Sequence, residues 1–299
     1  MSADAALFPG FTPRLVAAQG TSIHCVVGGE GPPLLLLHGY PQTHAMWHRV
    51  APRLSASFTV VCPDLRGYGD SGKPASDASH AAYSKRAMAQ DMVEVMRELG
   101  FARFRLVGHD RGGRVAHRLC LDHPQCVERV AVLDISPTRR MFRGTDLAFA
   151  AAYYHWFFLS QPPDLPERLI GGSADYFVTT TLERWSGHGF TFAPEDVAGY
   201  VAAFTPEVIH ASCEDYRAAA TIDLEHDAAD IERRITCPLL VLWGVHGAMH
   251  RLYDVPATWR DRASHVAAVP VDCGHFVPEE APDATIAAVS DFLGRVTPW

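Results

Sequence analysis

One segment restricts the fold more than any other. Phe104 to Val107 is an apolar, strand-like run that passes straight into Gly108-His109-Asp110-Arg111-Gly112-Gly113. A helical pattern follows from Gly112 to His123 and stops at Pro124. A strand that becomes a helix within so few residues needs small side chains at both ends of the turn, and Gly108 and Gly112 supply them. The turn then exposes its central residue, Asp110, as a strained nucleophile elbow does. The ordinary alternative is an Asp that caps the following helix. Two histidine-bearing stretches, His38-Gly39 upstream and His275 near the C-terminus, favour the elbow.

Around this segment, short strand-like runs alternate with helical patterns, which implies a mostly parallel sheet with helices on both faces. Strands are expected at Arg14–Ala18, Ile23–Val27, Pro33–Leu37, Phe58–Cys62, Phe104–Val107, Val127–Leu133, Pro238–Trp243 and His265–Val271. Helices are expected at Ser84–Leu99, near Trp259 and at Ala281–Leu293. The alternation breaks from about Thr138 to about Ile231, a helical, aromatic, Pro-punctuated stretch. The division is therefore 1–137 for the first part of an α/β core, 138–231 for an inserted helical cap, and 232–299 for the second part of the core. Strand, elbow, helix and insertion together resemble the α/β-hydrolase fold.

An Asp at the elbow, where Ser is usual, changes the chemistry. A Ser alkoxide attacks acyl carbon. A carboxylate instead displaces a leaving group from saturated carbon, and the resulting ester on Asp110 is hydrolysed by water. Dehalogenation and epoxide opening are favoured over ester or peptide cleavage. The water needs a base, and Cys273-Gly274-His275-Phe276, after the last strand, offers His275. The acid that orients it is Asp134, at the end of Val130–Leu133, or Asp254; Asp134 is preferred because Asp254 reads as opening a helix. Backbone N–H groups of Tyr40 and Arg111 would form an oxyanion hole, and His38 reads as holding the loop.

Arg111 and Arg114 lie in the first turn of the elbow helix, where the helix dipole disfavours cations. A surface pair is the plain explanation. Beside a nucleophilic carboxylate, however, two arginines suit a substrate with a carboxylate of its own, which arginine binds as a fork.

Composition narrows the partners. The net charge of −8 and pI near 6.0, without a basic stripe, argue against nucleic acid and anionic membrane. The apolar runs are too short to span a bilayer, and the N-terminus lacks a signal-peptide pattern. Seven cysteines without metal or redox spacing read as free thiols, which points to a reducing, cytoplasmic setting. Neither a metal nor a cofactor is expected.

The chain also resembles the fluoroacetate dehalogenases along nearly its whole length. The likeness is carried by His38-Gly39-Tyr40-Pro41-Gln42-Thr43-His44, Asp64 to Ser71, Gly108 to Arg114, Leu133 to Thr138, Tyr153 to Phe158 and Cys213 to Arg217. The resemblance implies Asp110 as nucleophile, His275 as base, Asp134 as its partner, and Arg111 and Arg114 on the carboxylate of a small haloacid. It further implies a halide pocket of His155, Trp156 and Tyr216, and a homodimer. His109 and Trp185 are assigned to the pocket lining. Soluble epoxide hydrolases are similar too, but usually carry Trp after the nucleophile and two cap tyrosines; here Arg111 and His155 stand instead, although Tyr153 and Tyr154 are near. A non-catalytic binding protein on this fold would not need nucleophile, base and acid together.

Overall fold

The computed structural model describes residues 3–294. Among them, eight strands form one sheet in the order β1-β2-β4-β3-β5-β6-β7-β8. The strands are β1 (Thr12–Ala18), β2 (Thr21–Gly28), β3 (Pro33–Leu37), β4 (Thr59–Pro63), β5 (Phe104–His109), β6 (Val127–Leu133), β7 (Leu239–Gly244) and β8 (Val266–Val271). The pairs β1–β2 and β2–β4 are antiparallel, and from β4 to β8 every pairing is parallel. This is the sheet of an α/β-hydrolase fold, as the alternation of strand and helix patterns predicts.

The central strands show why. Four of the five residues of β3 and all six of β7 are buried, and such continuous apolar runs require cover on both faces. The edge strand β1 has only Val16 buried, and β8 only Val271. The helix Lys85–Glu98, capped by Ser84, lays Met88, Met92, Val95 and Met96 against the sheet. Those residues recur at helical spacing, so the buried stripe could be read directly.

Between β6 and β7 the chain leaves the sheet. It runs through helices from Thr138–Arg143 to Ile222–Ala229, including Tyr154–Leu159, Ala174–Trp185 and Pro206–Ala220. No described helix is long and apolar enough to cross a membrane.

Strand order places the site. After β3 the chain moves outward to β4, then returns to set β5 on the other side of β3. In open α/β sheets such a reversal leaves a crevice at the carboxyl ends of the strands. Tyr40 follows β3 there, and Asp110 follows β5.

The crossing leaves no room for side chains on the flanking glycines. A Cβ on Gly112 would lie 2.5 Å from the carbonyl oxygen of His38, and one on Gly108 2.4 Å from that of Gly112. Backbone on both sides cannot give way. Gly112→Ala should therefore lower stability by about 1–3 kcal/mol, read as the urea midpoint; an unchanged midpoint would show that the elbow tolerates the side chain.

Candidate active site

Asp110 sits at φ 44°, ψ −113°, and Asp134 at φ 51°. Such conformations cost about 1–3 kcal/mol each in non-glycine residues and persist only where the surroundings enforce them. Among the described residues three non-glycines have positive φ, and these are two of them. Both cap the carboxyl ends of adjacent strands, β5 and β6.

The two aspartates meet at one histidine. Nδ1 of His275 lies 2.6 Å from Oδ2 of Asp134, and the backbone N–H of Gly244 donates to Oδ1 at 3.1 Å. Burial opposes a charged His275, but the Asp134 hydrogen bond and the carboxylates of Asp134 and Asp110 outweigh it, so its pKa lies above the ordinary value. Asp254 instead caps the Val255–Arg260 helix, accepting from Ala257 N–H at 3.1 Å. His109 packs 4.6 Å, centre to centre, from His275 and hydrogen-bonds its carbonyl through Nε2 at 2.8 Å.

Asp110 is buried, with 6% of its surface exposed. Burial raises its pKa, yet the charges of His275, Arg114 and Arg111 prevail and hold it at about 2. The carboxylate is therefore ionised at neutral pH. The backbone N–H of Tyr40 donates to its Oδ1 at 3.0 Å. His38 stabilises that loop by accepting from Leu65 N–H at 2.9 Å.

A ring of aromatic groups closes over this carboxylate. Trp185 lies 5.3 Å from His275 and 4.5 Å from His155; His155 lies 5.8 Å from Tyr216, which lies 5.3 Å from Tyr40. Burial drops the His155 pKa to about 3 and lifts that of Tyr216, a rise to which the charge of Asp110 adds. Both are neutral donors at pH 7. Trp156 is packed deeper, against Phe142, Phe149 and Tyr153, with its face 4.5 Å below the Arg114 guanidinium. A cavity of about 240 Å³ reaches Asp110 and His275 past Tyr153, His155 and Trp185.

The matching family model, described as the alpha/beta hydrolase fold, covers residues 32–282. The chain belongs to the α/β-hydrolase family. A fluoroacetate dehalogenase of Burkholderia sp. is 49% identical over 96% of this chain and 95% of its own length. A soluble epoxide hydrolase of Corynebacterium sp. (strain C12) is 36% identical over 92% of this chain and 94% of its own. A solved α/β-hydrolase structure from Nostoc sp. PCC 7120 superposes with a TM-score of 0.93 at 57% identity, covering 95% of this chain and 98% of that one.

The arginines of this hydrolase differ in one respect from the sequence expectation. The Arg111 fork is already engaged: Nε and Nη2 donate to the two oxygens of Asp215 at 2.8 and 2.6 Å, and the guanidinium lies 4.1 Å over the Tyr216 ring. Only Nη1 is left without a hydrogen-bond partner among the described residues. Arg114 donates from Nη1 to Ser136 O and Thr138 Oγ1 at 3.1 and 2.9 Å, which leaves its Nε unpartnered. A carboxylate here would meet one nitrogen from each arginine, Nη1 of Arg111 and Nε of Arg114, not the paired Nε and Nη2 fork of Arg111.

Asp215 is the residue that sequence reasoning missed. It also holds the buried Lys85 and accepts from the Tyr68 hydroxyl at 2.8 Å. The Arg111–Asp215 pair spans 104 positions and carries no local signal. Asp215→Ala would strip the buried Arg111 of its carboxylate and leave Lys85 with Asp223 alone, at 3.7 Å, at a cost of about 3–5 kcal/mol. Denaturant unfolding checks this, and a loss below about 1 kcal/mol would mean that the pair behaves as a surface ion pair does.

Proposed function

We propose that this α/β hydrolase is a haloacetate dehalogenase that converts fluoroacetate to glycolate and fluoride, with chloroacetate as a further substrate, through an ester on Asp110. One observation carries the reading. Nη1 of Arg111, Nε of Arg114, Nδ1 of His155, the Tyr216 hydroxyl and Nε2 of His275 are all buried, belong to the groups around one ionised carboxylate, and lack hydrogen-bond partners among the described residues. Leaving a buried donor unpaired costs about 1–3 kcal/mol, so such a gathering suits a small polar substrate that pairs with it. The two cations match a substrate carboxylate and offset its repulsion from Asp110. The likeness to the Burkholderia fluoroacetate dehalogenase points the same way.

In the first step an oxygen of Asp110 attacks the halogen-bearing carbon and forms a C–O bond. The C–halogen bond breaks with its electron pair, and the halide leaves toward His155, Trp156 and Tyr216. Neutral donors suit this step, because charge grows on the halogen only in the transition state. In the second step Nε2 of neutral His275 takes a proton from water as its oxygen attacks the carboxyl carbon of Asp110. Backbone N–H groups of Tyr40 and Arg111 hold the oxyanion, and Asp134 holds the imidazole. The acyl C–O bond then breaks, the departing glycolate oxygen takes the proton from His275, the added hydroxyl loses its proton to solvent, and Asp110 is restored as a carboxylate.

The helical stretch 138–231 acts as a cap that excludes water from the first step. A homodimer would cover the exposed apolar side chains of Leu147, Leu165, Leu169 and Tyr176. Free cysteines suit a cytoplasmic setting.

Epoxide hydrolysis is the second reading, favoured by Tyr153 in the cavity wall and the unpartnered Tyr216 hydroxyl, whose rings both contact His155. It leaves both arginine N–H groups without a partner. Halide release from fluoroacetate and chloroacetate, against diol formation from styrene oxide, separates the two; a binding protein gives neither product. Single turnover in ¹⁸O-water should place label in Asp110, and His275→Ala should accumulate a carboxymethyl ester on the peptide that contains it. Label confined to glycolate, or normal turnover by the variant, would overturn the covalent route.

The pH dependence follows from His275. Only neutral imidazole accepts the proton, so ester hydrolysis should fall as pH drops through its raised pKa. Asp134→Asn removes the carboxylate that raises it, and the acid limb of single-turnover ester hydrolysis should move to lower pH while the rate falls. An unmoved limb would exclude His275 as the group that titrates.

A further inference from the structure

A second cluster of polar groups lies on β2, three positions along the sheet from β5. It joins residues from three separate segments: Asp4 on the short Ala3–Leu7 helix, His24 on β2, and His44 in the turn of helix His44–Trp47 that follows β3. Nε2 of His24 stands 3.3 Å from one oxygen of Asp4, and Nε2 of His44 stands 3.2 Å from the other. The candidate ligand atoms lie within 4.8 Å of one another. Around a tetrahedral zinc ion, with bonds of about 2.0–2.1 Å, neighbouring ligand atoms are separated by about 3.3 Å. The Asp4–histidine separations are of that size but run to different oxygens of Asp4, so a shared ion requires that carboxylate to rotate one oxygen toward both imidazoles.

The far nitrogens supply the second observation. Nδ1 of His44 lies 2.8 Å from Asp64, and Nδ1 of His24 lies 3.4 Å from the other Asp64 oxygen. The Asp64 hydrogen bond to His44 Nδ1 fixes the tautomer that presents its Nε2 lone pair, as in metal-binding histidines, whereas His24 Nδ1 has no hydrogen-bond partner among the described residues. Asp64 is itself buried and held by the backbone N–H groups of His44 and Asp70, at 2.8 and 2.9 Å. A groove of about 300 Å³ lined by Asp4, His44, Asp64, Asp70, Glu195 and Asp196 opens on the cluster and gives a cation an acidic path in.

We propose that Asp4, His24 and His44 bind a divalent transition-metal ion of the zinc type, with Asp64 orienting the His44 imidazole and the fourth position open to water from the groove. The ion would tie the N-terminal helix to the antiparallel edge of the sheet, away from the Asp110 chemistry. Its binding would stabilise the fold by mass action. The competing account is an ion-pair cluster complete in itself, in which two imidazolium groups balance two carboxylates.

Titration with zinc chloride separates these accounts. The full, tag-free chain should take up one equivalent by calorimetry, and its melting temperature should rise with zinc and fall back with chelator. Asp4→Asn and His24→Asn, changes at the rim of the cluster, should each weaken binding by at least about tenfold while keeping a cooperative melt without metal. Absence of zinc binding by the wild-type chain would leave the ion-pair cluster as the whole account. Equal zinc binding by both variants and the wild-type chain would place the ion elsewhere. Either result overturns the proposal.

Discussion

A carboxylate kept ionised away from water must be paired, and much of the interior around the carboxyl ends of the strands is arranged around that requirement. Asp110 has His275, Arg114 and Arg111 as counter-charges. Those cations need partners of their own: Asp134 holds His275, Asp215 holds Arg111 and Lys85, and backbone and hydroxyl oxygens hold Arg114. A single buried charge at the elbow thus propagates into a network that spans β5, β6, β8 and the Pro206–Ala220 helix. Because the interior screens charge poorly, removal of one member exposes the next.

The same network explains a difference between sequence and structure. Two arginines beside Asp110 suggest two forks for a substrate carboxylate. In the structure Asp215 takes the Arg111 fork and sets the guanidinium flat against Tyr216. An arginine fixed in this way loses less freedom on binding than a mobile one, and it presents the N–H groups of one nitrogen, Nη1, in defined directions. Fewer contacts, each placed in advance, suit a substrate of only a few heavy atoms.

Much of the architecture was legible because its signals are local. Pro33–Leu37 and Val127–Leu133 match the observed β3 and β6 at both ends, since an apolar run bounded by turn residues carries its own limits. Strand β5 runs two residues further than expected, to His109, because the elbow turns only at Asp110 itself. The separate helices of the 138–231 stretch were not delimited, as its aromatic positions are spaced by packing on the core as much as by helical period. Pairings such as Arg111–Asp215 and Asp4–His24–His44 join distant segments, and only the folded chain brings them together. The acid beside His275 had two sequence candidates. Geometry distinguishes them: Asp134 accepts the imidazole, whereas the Asp254 side chain is engaged by its own helix.

Strain and dryness act together at the elbow. The positive φ of Asp110 and the backbone packed against Gly108 and Gly112 hold the carboxylate in one direction. With Tyr40 N–H on one oxygen, the other is the freer to attack. For the proposed defluorination, fluoride is a poor leaving group, and bulk water would solvate both the nucleophile and the departing ion without orienting either. His155 and Tyr216, neutral because they are buried, stay close to Asp110 without neutralising it, while cationic donors there would pair with the carboxylate and blunt it. In the proposed reaction the separation of roles follows from burial: arginines with fixed partners would supply the charge, and uncharged rings would supply hydrogen bonds that strengthen as the halide forms.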